Sequence, residues 1–165
     1  MHLTQLLPIE GWAELEREWS ARSGLTPAVY DLENKRLTAF ANWANELCPA
    51  LRQSPQALTG ICAVAQQGLA AMARSTRRPV VEECDAGLVK IVAPVFVGDE
   101  LIGTVSGCGR RYPESDMDFE YLAQSSGLTA EALREKAPSV AAITPEEAAE
   151  LAAFLSSRIG ELTRG

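Results

Sequence analysis

At 165 residues, with 47% apolar and 22% charged content, the chain has the length of one domain and can bury a core without disulfide or metal staples. Its formal net charge of -7 argues against direct nucleic-acid binding, which needs clustered Lys and Arg; basic doublets such as Arg77-Arg78 and Arg110-Arg111 are isolated along the chain. No apolar run approaches the ~20 residues of a membrane helix, and "MHLTQLLPIEGW" lacks the pattern of a secretory signal, so a cytoplasmic protein with reduced thiols is expected.

In chain order, Ile9, Trp12, Leu15 and Trp19 share one face of a helix predicted from about 9 to 22, which Ser23-Gly24 ends. Thr26–Asp31 and Leu37–Phe40 read as the strands of a short hairpin around "LENK". From Ala41 the spacing turns helical, with Phe40, Trp43, Ala44, Leu47, Cys48 and Leu51 on one face and Pro49 marking a bend or break. Ser54-Pro55 caps a further helix whose stripe is Leu58, Ile61, Cys62, Ala65, Leu69 and Met72.

Three strands follow: Pro79–Cys84, Leu88–Val97 and Glu100–Cys108, the last two joined through Gly98-Asp99. Apolar residues on both strand faces call for a sheet covered by helices. From about 115 to 163 the chain is helical, and its last helix opens with a capping box of Thr144 and Glu147, then places Leu151, Leu155, Ile159 and Leu162 on one face. This order predicts an α+β fold, an antiparallel sheet of about five strands flanked by helices, with the core at about 25–111.

That outline is the one of PAS- and GAF-like sensors, and particular residues narrow it. "SGLTPAVYDLENKRLT", "ELCPAL", "GICAVAQQGLAAMA", "CDAGLVKIVAPVFVGDELIGTVSGCG" and "LTAEALREKAP" followed by "TPEEAAELAAFLSS" resemble, in that order, the PocR-type sensory domain, a PAS-like module of prokaryotic signalling proteins. The fourth block is the specific one. Two departures stand out: Asp85 where the family usually has His, and Cys108 where it usually has Gln after Gly107. The resemblance implies sensing of a small organic molecule, often in chains that carry a DNA-binding or kinase module. Neither module is legible in these residues, so the signal is expected to leave through a partner protein, or through a larger chain of which this is a piece.

The four cysteines carry the chemistry. Cys48, Cys62, Cys84 and Cys108 lie 14, 22 and 24 residues apart, with no C-x-x-C knuckle of the kind structural zinc sites use. One ligand each from two helices and two strand ends suits a buried cofactor, so a thiolate cage here favours an iron–sulfur cluster, [4Fe–4S] first, over zinc. The alternative is four core fillers, since cysteine packs as a small hydrophobe. Cys62 and Cys48 on apolar stripes suit that reading. Cys84, in the polar turn "EECDAG", and Cys108, between two glycines, do not. Backbone N–H groups around Ala86-Gly87 and Gly107–Gly109 are the expected donors to such a cage. If only Cys84 and Cys108 were involved, a two-thiol redox switch would result.

A metal-free sensor would instead use the cysteines as pocket wall, with Tyr30, Trp43 and Phe96 as apolar lining. His2 is the only histidine and Ser106 has no base to activate it, so no enzyme is expected. Trp12 and Trp19 are read as core, with a homodimer through the N-terminal helix as the alternative.

Overall fold

A computed structural model describes residues 1–164. Four strands form one antiparallel sheet: β1 (Thr26–Tyr30), β2 (Val80–Glu83), β3 (Val89–Val97) and β4 (Glu100–Arg110), in the order β1-β4-β3-β2. The β3–β4 hairpin turns at Gly98, whose φ of +62 is the left-handed geometry that glycine tolerates best. Helices α1 (Leu3–Leu6), α2 (Ile9–Ser23), α3 (Leu47–Arg52), α4 (Pro55–Ala57), α5 (Val64–Thr76), α6 (Phe119–Ser126), α7 (Ala130–Lys136) and α8 (Pro145–Arg164) surround it.

Alternation along β3 divides the core. Val89, Ile91, Ala93 and Val95 face α2 and α8, where Trp12, Trp19, Leu151, Leu155 and Ile159 join them in the main apolar cluster. Leu88 and Val92 face the other way, toward α3–α7 and α5 respectively. Side chains two apart on a strand share a face, so Lys90 also belongs to this second side. Both indoles are fully buried within the chain, which leaves them no part in a dimer face.

Among the described residues the expected fifth strand is absent. After Tyr30 the Asp31 carboxylate accepts the Glu33 and Lys35 N–H groups, and the chain returns only long enough for a single bridge, Tyr30 to Arg36. Leu37 still donates its N–H to the Val29 carbonyl at 2.9 Å, and the chain then leaves the edge of the sheet: Thr38 donates to the buried Glu16 carboxylate, and Arg36 Nη2 donates to the Phe40 carbonyl. The helix read from Ala41 begins only at Leu47, and Pro49 sits in its first turn, where no N–H is needed. Residues 115–118 precede the C-terminal helices rather than forming part of them.

Between α4 and α5 lies a π-helical turn, Leu58–Ala63, which the periodicity did not disclose. Its wider winding breaks the predicted stripe. Ile61 and Leu69 remain buried, Leu58 and Met72 turn outward, and Gln66 and Ala73 are buried in their place. Ser54 caps α4 as expected, accepting from the Ala57 N–H at 3.2 Å. Thr144 likewise accepts from the Glu147 N–H, but the Glu147 carboxylate reaches Arg110 at 2.9 Å instead of closing the capping box.

Candidate functional site

Behind the second face of the sheet lies a cavity of about 190 Å3, and Cys48, Cys62, Cys84 and Cys108 all line it. Each comes from a different element. Cys48 is in the first turn of α3, Cys62 in the π turn, Cys84 just after β2, and Cys108 near the end of β4. All four are free and half-buried.

Cys108 is aimed by the ladder. It pairs with Thr26 on β1 and with Lys90 on β3, so these three side chains rise from one face. Beside it Gly109, at φ +112, is the extra residue of a bulge between Val89 and Lys90. The carbonyl of Gly109 accepts the Asn45 Nδ2 proton at 2.7 Å, while Asn45 Oδ1 accepts the Cys48 N–H at 2.7 Å. Asn45 therefore ties the start of α3 to β4. It also brings Nδ2 to 3.5 Å from Cys48 Sγ.

Cys84 closes a tight turn. Its N–H donates to the Leu88 carbonyl at 2.8 Å and its own carbonyl accepts from Gly87 at 2.9 Å. Gly87, at φ +80, makes that turn and has its N–H already engaged, so of the predicted pair only the Ala86 N–H is turned toward the sulfur. Gly107 is not a donor to the site at all: it lies in the ladder under Trp19.

The four thiols feel one another. Burial pushes the Cys48 thiol well above the usual range, nearby Cys108, Cys84 and Cys62 add to this, and the Asn45 contact opposes it. Burial pushes Cys84 up to about 11, with Cys108 and Cys62 again adding and the Leu88 and Ala86 N–H groups opposing. Burial raises Cys62 as well, against the pull of Arg52 and Lys90. With nothing bound, these three thiols are neutral at physiological pH.

Among the described residues, no three His, Cys, Asp or Glu side chains are grouped as ligands to a single metal ion. Tyr30 and Trp43 line the cavity as expected; Phe96 does not, because it packs under the Arg77 guanidinium at 4.0 Å near the β3–β4 turn. Asp85 is exposed, its carboxylate 3.5 Å from the Tyr121 hydroxyl.

Sequence reasoning missed Lys90, Gln66 and Arg52, which also line the cavity. Lys90 is only 5% exposed and Gln66 only 3%. The signal for Lys90 was available: a lone lysine inside the apolar run "GLVKIVAPV" has no solvent face to occupy. Gln66 Nε2 donates to Thr104 Oγ1 at 3.1 Å, while its Oε1 has no partner.

No described helix is long and apolar enough to cross a membrane. A family model described as the sensory domain found in PocR matches residues 5–164. Searches of curated proteins and of solved structures gave no match.

Proposed function

The chain belongs to the family of sensory domains found in PocR, and on that premise we propose that the cavity behind the sheet receives the signal, with Cys48, Cys62, Cys84 and Cys108 holding an iron–sulfur cluster. The observation that carries this reading is convergence: every cysteine in the chain, each from a separate element, lines the same cavity. Four core fillers have no reason to meet.

A [4Fe–4S] unit suits the cage better than zinc. Four thiolates around one zinc ion crowd to ~2.3 Å from a common centre, and the described residues hold no such group. In a cubane each thiolate binds its own iron, so the sulfurs stand further apart. Gain, loss or oxidation of the cluster would pull on α3, the π turn, the Cys84 turn and β4 together. A π turn at such a site is in keeping with where these irregularities are found.

Purification and reconstitution without air test this directly. The expected product is brown, absorbs near ~400 nm and contains about four iron and four sulfide per chain; each Cys→Ser change lowers the iron content. A colourless protein with four titratable thiols after reconstitution rejects the cluster.

The second reading is a metal-free sensor of a small organic molecule, with Tyr30 and Trp43 as lining. It is favoured by the character of the cavity, largely apolar with two lining polar atoms, Arg36 Nε and Gln66 Oε1, left unpaired among the described residues.

A further inference from the structure

We propose that the cavity selects an anionic occupant, and that Lys90 and Arg52 are the residues that select it. The inference rests on the cavity being the sensing site, but not on the occupant being a cluster.

Among the described residues three cations line this cavity, Arg36, Arg52 and Lys90, and no Asp or Glu does. Arg36 is already answered by the buried Glu16 carboxylate at 3.8 Å. Lys90 and Arg52 take part in no ion pair among the described residues. Glu82 stands opposite Lys90 across β2 and β3, yet it is exposed and forms no ion pair with it.

Each unpaired cation rests instead on an aromatic ring that also lines the cavity. The Lys90 ammonium lies 5.7 Å from the centre of the Tyr30 ring, and the Arg52 guanidinium 5.5 Å from that of Trp43. A ring face holds a cation in place without neutralising it. A lysine this deeply buried is seldom left without a counter-charge.

With Lys90 and Arg52 unpaired and no carboxylate in its lining among the described residues, the cavity is electropositive. An occupant bearing negative charge completes it, and two chemistries qualify. A tetrathiolate [4Fe–4S] cluster in its oxidised state carries about two net negative charges. A small carboxylate would place one charge between Lys90 and Arg52 and its apolar part against Leu51 and Ile61. A neutral alcohol or an amine satisfies neither cation.

Two arms separate these sources, each run on wild type, Lys90→Met, Arg52→Met and the charge-retaining Lys90→Arg. In the first, the chain is reconstituted without air with iron and sulfide, then assayed for iron per chain and midpoint potential. In the second, the metal-free chain is melted with acetate, propionate or butyrate, and with ethanol, propanol or butanol. If the anion is the cluster, Lys90→Met retains it at least tenfold less well, or shifts its potential negative by about 59 mV, which is tenfold for a one-electron couple. If the anion is an organic acid, carboxylates raise the melting temperature, alcohols do not, and Lys90→Met weakens carboxylate binding at least tenfold. Lys90→Arg keeps most of either effect.

Carboxylate binding without iron uptake ends the cluster reading and supports the inference. Iron uptake indifferent to Lys90 and Arg52, with carboxylates inert, overturns the inference and leaves the cluster reading standing. It is also overturned if alcohols stabilise as well as carboxylates, or if wild type takes up neither iron nor carboxylate.

Discussion

Lys90 on β3 and Cys108 on β4 are direct partners in the ladder, so an ammonium and a thiol enter the same cavity side by side. Keeping that charge under cover costs folding free energy in the empty protein, since the Tyr30 ring returns only part of the lost hydration. Lys90→Met in the metal-free chain is expected to be more stable than wild type by about 1 kcal/mol or more. Urea unfolding at neutral pH measures it. A loss of stability of similar size would mean that the ammonium already has a partner.

Asn45 is the strut between the two halves of the site. Its three contacts, to Cys48 N, Cys48 Sγ and the Gly109 carbonyl, are all within hydrogen-bonding reach. Asn45→Ala leaves the buried Gly109 carbonyl unanswered and frees the start of α3, at a cost of about 2–3 kcal/mol. Cys48 should then react with iodoacetamide about tenfold faster than in wild type, because the segment carrying it opens more often. Alkylation followed residue by residue in a mass spectrometer, beside a urea curve, reads both effects.

The raised thiols make the metal-free protein alkali-sensitive. In the unfolded chain Cys84 loses its proton near 9, whereas in the fold it holds that proton until about 11. Between those values the folded state binds more protons, so raising the pH favours unfolding; below 9 the stability is fully present. The loss from Cys84 alone amounts to about 2 kcal/mol by pH 11. Tyr112, raised by its own burial and by Glu83 and Glu82, adds a slope of the same sign. Comparing Cys84→Ser with wild type across this window isolates the thiol. Parallel curves would show that Cys84 is not shielded as described.

Where one interaction decided the structure, the residues disclosed it. The β3–β4 hairpin, the Ser54 cap and the apolar face of α8 follow from turn chemistry, a hydroxyl acceptor and helical spacing, each of them local. The convergence of the cysteines was only half legible: Cys84 in a polar turn and Cys108 at a strand end stood out, whereas Cys48 and Cys62 on apolar helical stripes suited core packing equally well. What stayed hidden depends on tertiary partners. Leu37–Phe40 has the composition of a strand, but Thr38 and Arg36 find Glu16 and Phe40 instead of a neighbouring ladder. Trp43 has helical spacing with its neighbours, yet it sits at 38% exposure in irregular chain under Arg52. The π turn adds its extra winding without altering composition, so the rotation that buries Gln66 and exposes Met72 could not be counted from spacing.

Two glycines test how tightly the sheet is held by α2. A methyl group at Gly107 would lie 2.6 Å from Trp19 Nε1 and 3.1 Å from Leu25 Cβ, with no flexible side-chain end to yield. Trp19 Nε1 also donates to the Ser106 carbonyl at 3.1 Å, so displacing the indole breaks a buried hydrogen bond as well as the packing. Gly107→Ala is therefore expected to lose about 3 kcal/mol or more. Gly68, exposed in the interior of α5, is the opposite case: a methyl group there meets nothing within 4 Å. Gly68→Ala should gain about 0.5–1 kcal/mol from helix propensity alone. Urea unfolding followed by tryptophan fluorescence serves for both variants. Because Trp12 and Trp19 are the two buried indoles, the Gly107 variant should also show a red-shifted native emission, while the Gly68 variant keeps the wild-type spectrum. Equal stabilities for the two variants would show that the contact between Trp19 and β4 is looser than this packing requires.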